Sequence, residues 1–229
     1  MNKIIQGLVE FKQKFQKSFI EEFPDLANGQ KPQALMIVCC DSRIMPTVST
    51  RIGPGDLFVL RNIGNIVPPY NYINQGNTLK HSSVLAALEF AIKYLQIPNI
   101  IICGHSECGA MKYLLANEEV PETPFLHNWI SEAKSVYTEF STNPKSQDIN
   151  PKTAHNEISK LNVIHQLENL YTIPVVREAV DRKKLKVYGW WLDISTYDVY
   201  HYLKSQNEFV QINDKTLETI LDELYEEKS

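Results

Sequence analysis

No run of apolar residues in this chain reaches the roughly 20 that a bilayer span requires, so no membrane helix is expected. Basic clusters are missing as well. Lys and Arg total 23 against 27 Asp and Glu, a net charge of −4. Aromatic residues are scattered rather than interleaved with a basic patch. Both points exclude a nucleic-acid surface. The apolar core of a secretory signal is lacking too, because Ile4 and Ile5 are followed at once by Gln6, Glu10 and Lys12. A cytoplasmic location is the expectation. Cysteine is scarce, with four in 229 residues. In a reducing compartment such residues serve as metal ligands or buried thiols rather than disulfides. There is no internal repeat and no low-complexity tract. What is present is an ordinary globular composition, 43% hydrophobic and 22% charged, in a chain long enough to bury a core without staples.

Helical spacing of Ile4, Ile5, Leu8, Phe11, Phe15, Phe19 and Ile20 predicts a helix over Lys3–Glu22. It precedes the first strand, so residues 1–28 read as an N-terminal helical arm. The arm either docks on its own domain or packs on a partner subunit. Strands are then predicted at Ala34–Cys40, Asp56–Arg61, Asn99–Cys103 and Leu185–Trp190, with a last edge strand at Phe209–Ile212. Helices are predicted at Thr78–Leu95, Ala110–Ala116, Pro124–Phe140, Ala154–Tyr171, Val175–Arg182 and Thr216–Glu227. Near-continuous apolar strands alternating with helices indicate an α/β fold. The sheet is expected to be mostly parallel, about four parallel strands plus an edge strand, flanked by helices. The polar stretch Ser141–Thr153 reads as a surface excursion within one domain spanning 1–229.

In open parallel sheets, ligands bind beyond the carboxyl ends of the strands. Two apolar strands here run into metal-competent side chains. One ends at Cys39-Cys40-Asp41-Ser42-Arg43, the other at Gly104-His105-Ser106-Glu107-Cys108-Gly109. If the strands are neighbours, Cys39, His105 and Cys108 converge. Two thiolates and an imidazole suit tetrahedral zinc, and three protein ligands leave the fourth position open, which is the catalytic arrangement. Asp41 lies two residues from Cys39 and can point at that position. Glycines on both sides of the His-x-x-Cys segment allow a sharp turn around a metal. Two blander readings stay open at this point: buried thiols with a hydrogen-bonded core histidine, and a closed structural zinc site.

The segments CCDSR and GHSECGA resemble the signature of the β-class carbonic anhydrases, in particular the plant-type subgroup. GDLFVLRNIGNIVPPY, NIIICGH and LNVIHQLENLYTIPVVRE agree in family order, so the similarity runs from Gln30 to Trp190. The resemblance implies reversible hydration of CO2 to bicarbonate and a proton, with one Zn2+ per subunit. It makes Cys39, His105 and Cys108 the zinc ligands. Cys40 stands at the variable place of Cys-x-Asp-Ser-Arg and is not counted as a ligand; Cys40 and Cys103 are expected to be small buried residues. Zinc lowers the pKa of bound water and so provides hydroxide near neutral pH, although two thiolates should make it a weaker Lewis acid. Asp41 and Arg43 match the family's carboxylate–guanidinium pair. Held by Arg43, Asp41 accepts the proton of the zinc-bound species. Released, it becomes the fourth zinc ligand and closes the site.

The resemblance also assigns a substrate pocket for CO2 and bicarbonate. Gln30 supplies an amide donor; Phe58 and Ile63 form an apolar wall; Phe90 stands where plant-type members have tyrosine. The pocket lies at a family dimer interface, so a homodimer or homotetramer is implied. Some bacterial members carry an inhibitory bicarbonate site; the aligned positions here are Met36, Arg61 and Leu192, and no such site is expected. Tyr72, His81 and His127 are candidate proton relays that spacing does not single out. Competing functions are a carbon disulfide hydrolase on the same fold, a non-catalytic zinc-binding protein, and a Cys/His nucleophile hydrolase.

Overall fold

The computed structural model describes residues 1–70, 82–117 and 122–226. Tyr72 and His81 lie outside the described residues. Helix α1 (Asn2–Glu10) continues through a π turn (Phe11–Phe15) into α2 (Gln16–Glu22). Neither helix buries a residue. Ile4, Ile5, Leu8, Phe15 and Ile20 are all more than half exposed. Among the described residues this apolar stripe is left without cover, and the arm approaches its own domain only past the end of α2, where Phe23 lies close to Gly53.

The chain then forms β1 (Ala34–Cys39), α3 (Pro46–Thr50), β2 (Leu57–Asn62), α4 (Ser82–Glu89) with a π turn (Phe90–Tyr94), and β3 (Asn99–His105). Next come α5 (Gly109–Ala116), α6 (Pro124–Ile130), α7 (Lys134–Thr142), α8 (Ala154–Thr172) and α9 (Pro174–Asp181). The end of the chain adds β4 (Lys186–Leu192), β5 (Val199–Leu203), β6 (Glu208–Gln211) and α10 (Leu217–Glu226).

Six strands make one sheet in the order β2-β1-β3-β4-β5-β6. The first four pair in parallel, and β5 and β6 add on antiparallel. The expected sheet thus gains one strand. VYHYL was not predicted, because its apolar period is broken by His201, which is buried, and by tyrosines that are half-buried. All six residues of β1 are buried, so both sheet faces are covered. Leu35, Ile37, Ile100 and Ile102 meet Leu88, Val163 and Leu167 on one face. Met36, Val38, Ile101 and Cys103 form the other. Each such side chain contributes about 1.5–3 kcal/mol on burial.

Close helix packing depends on two glycines. A Cβ at Gly104 would lie 2.7 Å from Val163 Cγ2, and one at Gly189 would lie 3.0 Å from Leu167 and Val163. Without side chains there, α8 lies flat on β3 and β4.

Candidate active site

Leaving β1, the chain goes to β2 on one side and later to β3 on the other, so the crevice opens at a topological switch point. Pairing of Val38 with Cys103 levels the two strand ends. Cys39 closes β1, His105 closes β3, and Cys108 caps the start of α5. All three are buried, and their ligating atoms lie within 4.8 Å of one another.

The donor set fits a soft divalent cation. His105 Nδ1 is 2.8 Å from the Ser106 carbonyl. A carbonyl only accepts, so Nδ1 carries the proton and Nε2 keeps its lone pair. That Nε2 is buried with no hydrogen-bond partner among the described residues, an arrangement that costs free energy unless something binds it. The two thiols shift each other in opposite directions. The Cys108 hydrogen bond to Cys39 lowers the Cys39 thiol to about 4, helped by the N–H groups of Gly64 and Asp41. The same bond, together with burial, pushes Cys108 up. A metal ion bound here would displace thiol protons.

The strand ends are held from several directions. Gly64 N–H donates to Cys39 Sγ at 3.4 Å; its φ of +77° suits glycine, and a Cβ there would meet Ala110 at 3.1 Å. Asn162 donates to Gly64 O at 3.0 Å, and Gln166 accepts from Val67 N–H at 2.8 Å. Asn162 and Gln166 are fully buried on α8, so this helix braces the 63–67 loop by polar contacts. Arg61 donates to Cys39 O at 2.9 Å and to Ile44 O at 2.7 Å, closing the turn that carries Asp41. None of these bracing roles was read from sequence.

Asp41 is gripped by Arg43 through Nε at 2.9 Å and Nη2 at 2.7 Å. That bidentate bond holds its carboxyl well below the usual carboxylate range. Arg43 Nη2 also donates to Glu107 O at 3.2 Å, and Tyr197 O–H donates to Arg43 O at 3.0 Å. Cys40 is exposed, contrary to the expectation of a buried residue, because the chain has left the sheet there. Cys103 is buried, and burial alone pushes its thiol up to about 12.

Of the expected pocket residues, Ile63 stands beside the cluster, next to Gly64 and 40% exposed. The other three do not reach it within one chain. Phe58 pairs with Leu35, four register positions before the Cys39–Asn62 pair, or about 13 Å along the strand. It packs on Phe90 with ring centroids 5.8 Å apart. Gln30 lies beyond the amino end of β1, lining a cavity with Phe23, Gly55 and Asp56. His127 sits half-buried on α6, and its Nδ1 has no partner among the described residues.

A family model described as "Carbonic anhydrase" matches residues 34–199. The carbonic anhydrase of Synechococcus elongatus is 34% identical over 215 residues, covering 93% of this chain and 76% of the relative. The solved structure of the β-carbonic anhydrase CcaA superimposes with a TM-score of 0.83 at 34% identity, over 93% of this chain and 99% of the other. One of two tetrameric β-carbonic anhydrases from Sordaria macrospora gives a TM-score of 0.75 at 28% identity, over 88% and 97%. The match takes in the parallel sheet, both cysteine-bearing strand ends and the helix that braces them, and the chain belongs to the β-carbonic anhydrase family.

Proposed function

We propose that Cys39, His105 and Cys108 hold the zinc ion of this carbonic anhydrase, and that Asp41 and Arg43 govern the open side of the site. Members of the family are zinc enzymes, and the reaction is reversible hydration of CO2 to bicarbonate and a proton. The reading is carried by one observation: two thiols and an orphaned imidazole nitrogen converge within 4.8 Å, and a carboxylate fixed at both oxygens stands two residues from the first of those thiols. When bound, zinc supplies a Lewis acid that lowers the pKa of a coordinated water, as in the three-histidine carbonic anhydrases.

The chain's own residues do the rest. Asp41 is ionised throughout the neutral range because Arg43 holds it so. It therefore accepts hydrogen bonds and donates none, which orients a proton-bearing oxygen and rejects a species without a proton. The grip of Arg43 also keeps Asp41 from turning onto the metal. Ile63 gives CO2 an apolar wall. Gln30, Phe58 and Phe90 complete the pocket from a second copy of the chain, Gln30 by donating to a bicarbonate oxygen. The exposed stripe on α1 and α2 and the tetrameric relatives support a homodimer or homotetramer. The plant-type subgroup, one domain over 1–229 and a cytoplasmic location belong to the same reading. No helix among the described residues is long and apolar enough to cross a membrane. Burial of Met36 and Leu192, and engagement of Arg61 by two carbonyls, speak against an inhibitory bicarbonate site there.

Stopped-flow CO2 hydration with metal analysis across pH tests the assignment, with carbon disulfide turnover measured alongside. Hydration proportional to zinc occupancy is the expected result. Full hydration without metal, or a zinc-loaded protein turning over only carbon disulfide, rejects it.

A further inference from the structure

Glu107 stands between His105 and Cys108 but gives the metal set no ligand. Its backbone is left-handed, with φ at +57°, a conformation that a residue with a side chain keeps only when its surroundings enforce it. Three neighbours enforce it here. Asn156 Oδ1 accepts the Glu107 N–H at 2.8 Å. His155 Nε2 donates to Glu107 Oε1 at 2.7 Å. Lys112 pairs with Oε2. The Lys112 pair is exposed on both sides and adds little. His155 is buried and Asn156 half-buried, both in the first turn of α8, so these two carry the restraint.

The carbonyl of this fixed residue accepts Arg43 Nη2, the same nitrogen that donates to Asp41 Oδ2. Arg43 needs such a hold. Its side chain is 48% exposed, and an ion pair that open to water is soft by itself. Tyr197 already anchors the Arg43 carbonyl, so the orientation of the guanidinium is the variable left to fix.

We propose that Glu107, His155 and Asn156 are positioning residues for the Asp41–Arg43 pair: the first turn of α8 fixes the Glu107 carbonyl, and that carbonyl holds Arg43 in the orientation that keeps Asp41 off the metal. The inference rests on the reading of Arg43 as the restraint on Asp41. It reaches across 48 residues of chain and makes α8 part of the machinery that keeps the fourth metal position free.

The test loads the whole protein with cobalt(II) and titrates azide by visible absorption at one pH. Azide takes the open position, so Asp41 turning onto the metal competes with it. Asn156→Ala and Glu107→Gly are each expected to weaken azide binding about three- to tenfold, the equilibrium effect of one hydrogen bond, with cobalt content unchanged. Glu107→Gly keeps the backbone carbonyl and suits the left-handed backbone, so it reports even if Asn156→Ala does not fold. Adding Asp41→Ala to either variant should restore azide affinity, because the competing ligand is gone; a distorted site would not recover. Arg43→Ala is the reference. If Arg43→Ala weakens azide binding and the other two variants do not, the positioning role is overturned while the Arg43 reading stands. If Arg43→Ala binds azide as the unaltered protein does, the Arg43 reading falls and takes this inference with it. Loss of cobalt, or no recovery on adding Asp41→Ala, also overturns the proposal.

Discussion

Arg43 meets both oxygens of Asp41, Nε to Oδ1 at 2.9 Å and Nη2 to Oδ2 at 2.7 Å, with only Ser42 between them. The Arg43 N–H adds a bond to Oδ1 at 3.0 Å. A turn this short sets the plane of the carboxylate relative to Cys39, two residues back in the chain. Orientation and ionisation of Asp41 are thus fixed by its immediate neighbour, independently of any metal.

The first prediction follows from that separation. Asp41→Ala and Arg43→Ala should keep full zinc occupancy, since neither side chain belongs to the Cys39–His105–Cys108 set. Both should lose most CO2 hydration, by about 100-fold or more if Asp41 handles the proton. Stopped-flow assay with zinc analysis of the same samples decides it. Hydration by Asp41→Ala at the unaltered rate would remove Asp41 from the mechanism.

The cysteines should divide into two classes. Cys39→Ser and Cys108→Ser are expected to lose the metal, because both thiols belong to the one cluster that could hold it among the described residues. Cys40→Ser and Cys103→Ser should retain it. Cys103 stays a neutral thiol, with burial pushing it up to about 12. Cys40 is exposed, so alkylation of the zinc-loaded protein should label it first. Metal retention in Cys39→Ser would contradict the ligand set.

The apolar runs LMIVCC and NIIICGH were legible as strands because both faces of the sheet are covered and every second residue need not be polar. The metal triad was legible because its ligands stand at the ends of those runs. α8 was legible as a helix, but not as a brace: Asn162 and Gln166 would read as solvent-facing, yet they are buried against the 63–67 loop. β5 was missed because an antiparallel strand near the sheet edge needs no apolar run. Gln30, Phe58 and Phe90 were proposed for the pocket through resemblance alone. Within one chain the register of β1 and β2 keeps Phe58 well short of Cys39.

Gly104 offers a stability test of the α8 contact. Gly104→Ala puts a methyl 2.7 Å from Val163 Cγ2 and 3.2 Å from Ser159 O. Ser159 O–H donates to His105 O at 2.8 Å, so any retreat of α8 loosens the strand that carries a ligand. Overpacking of this kind costs about 1–3 kcal/mol. Urea unfolding should show that loss, together with weaker zinc retention. An unchanged midpoint would mean that the helix can shift freely.

Acid should weaken the Glu107 cluster in a defined window. Lys112 and His155 hold the Glu107 carboxyl down at about 2, against about 4.3 for an unfolded glutamate. A lowered folded value means that the stabilisation is present above about 4.3 and is lost as pH falls toward 2. The group is nearly half exposed, so solvent screening limits the effect to about 1 kcal/mol. Glu107→Gln in metal-free protein should be destabilised by that much or less at pH 7 in urea, and the gap should narrow as pH drops below 5. A gap that stays constant to pH 3 would show that charge plays no part.

The N-terminal arm should decide assembly. Ile4, Leu8, Phe15 and Ile20 on it are each more than half exposed in the isolated subunit, and a stripe of that kind calls for cover. On the proposed reading, Gln30 and Phe58 also need a second copy to approach the metal. Deleting residues 2–22 should therefore shift sedimentation from dimer or tetramer toward monomer, and CO2 hydration should fall with it while the zinc content per chain holds. Ile4→Asp with Leu8→Asp should act in the same direction without shortening the chain. If the truncated protein sediments as the intact one does, the arm is not the contact, and the edge of β2, where Val59 is 37% exposed, becomes the surface that must join two subunits.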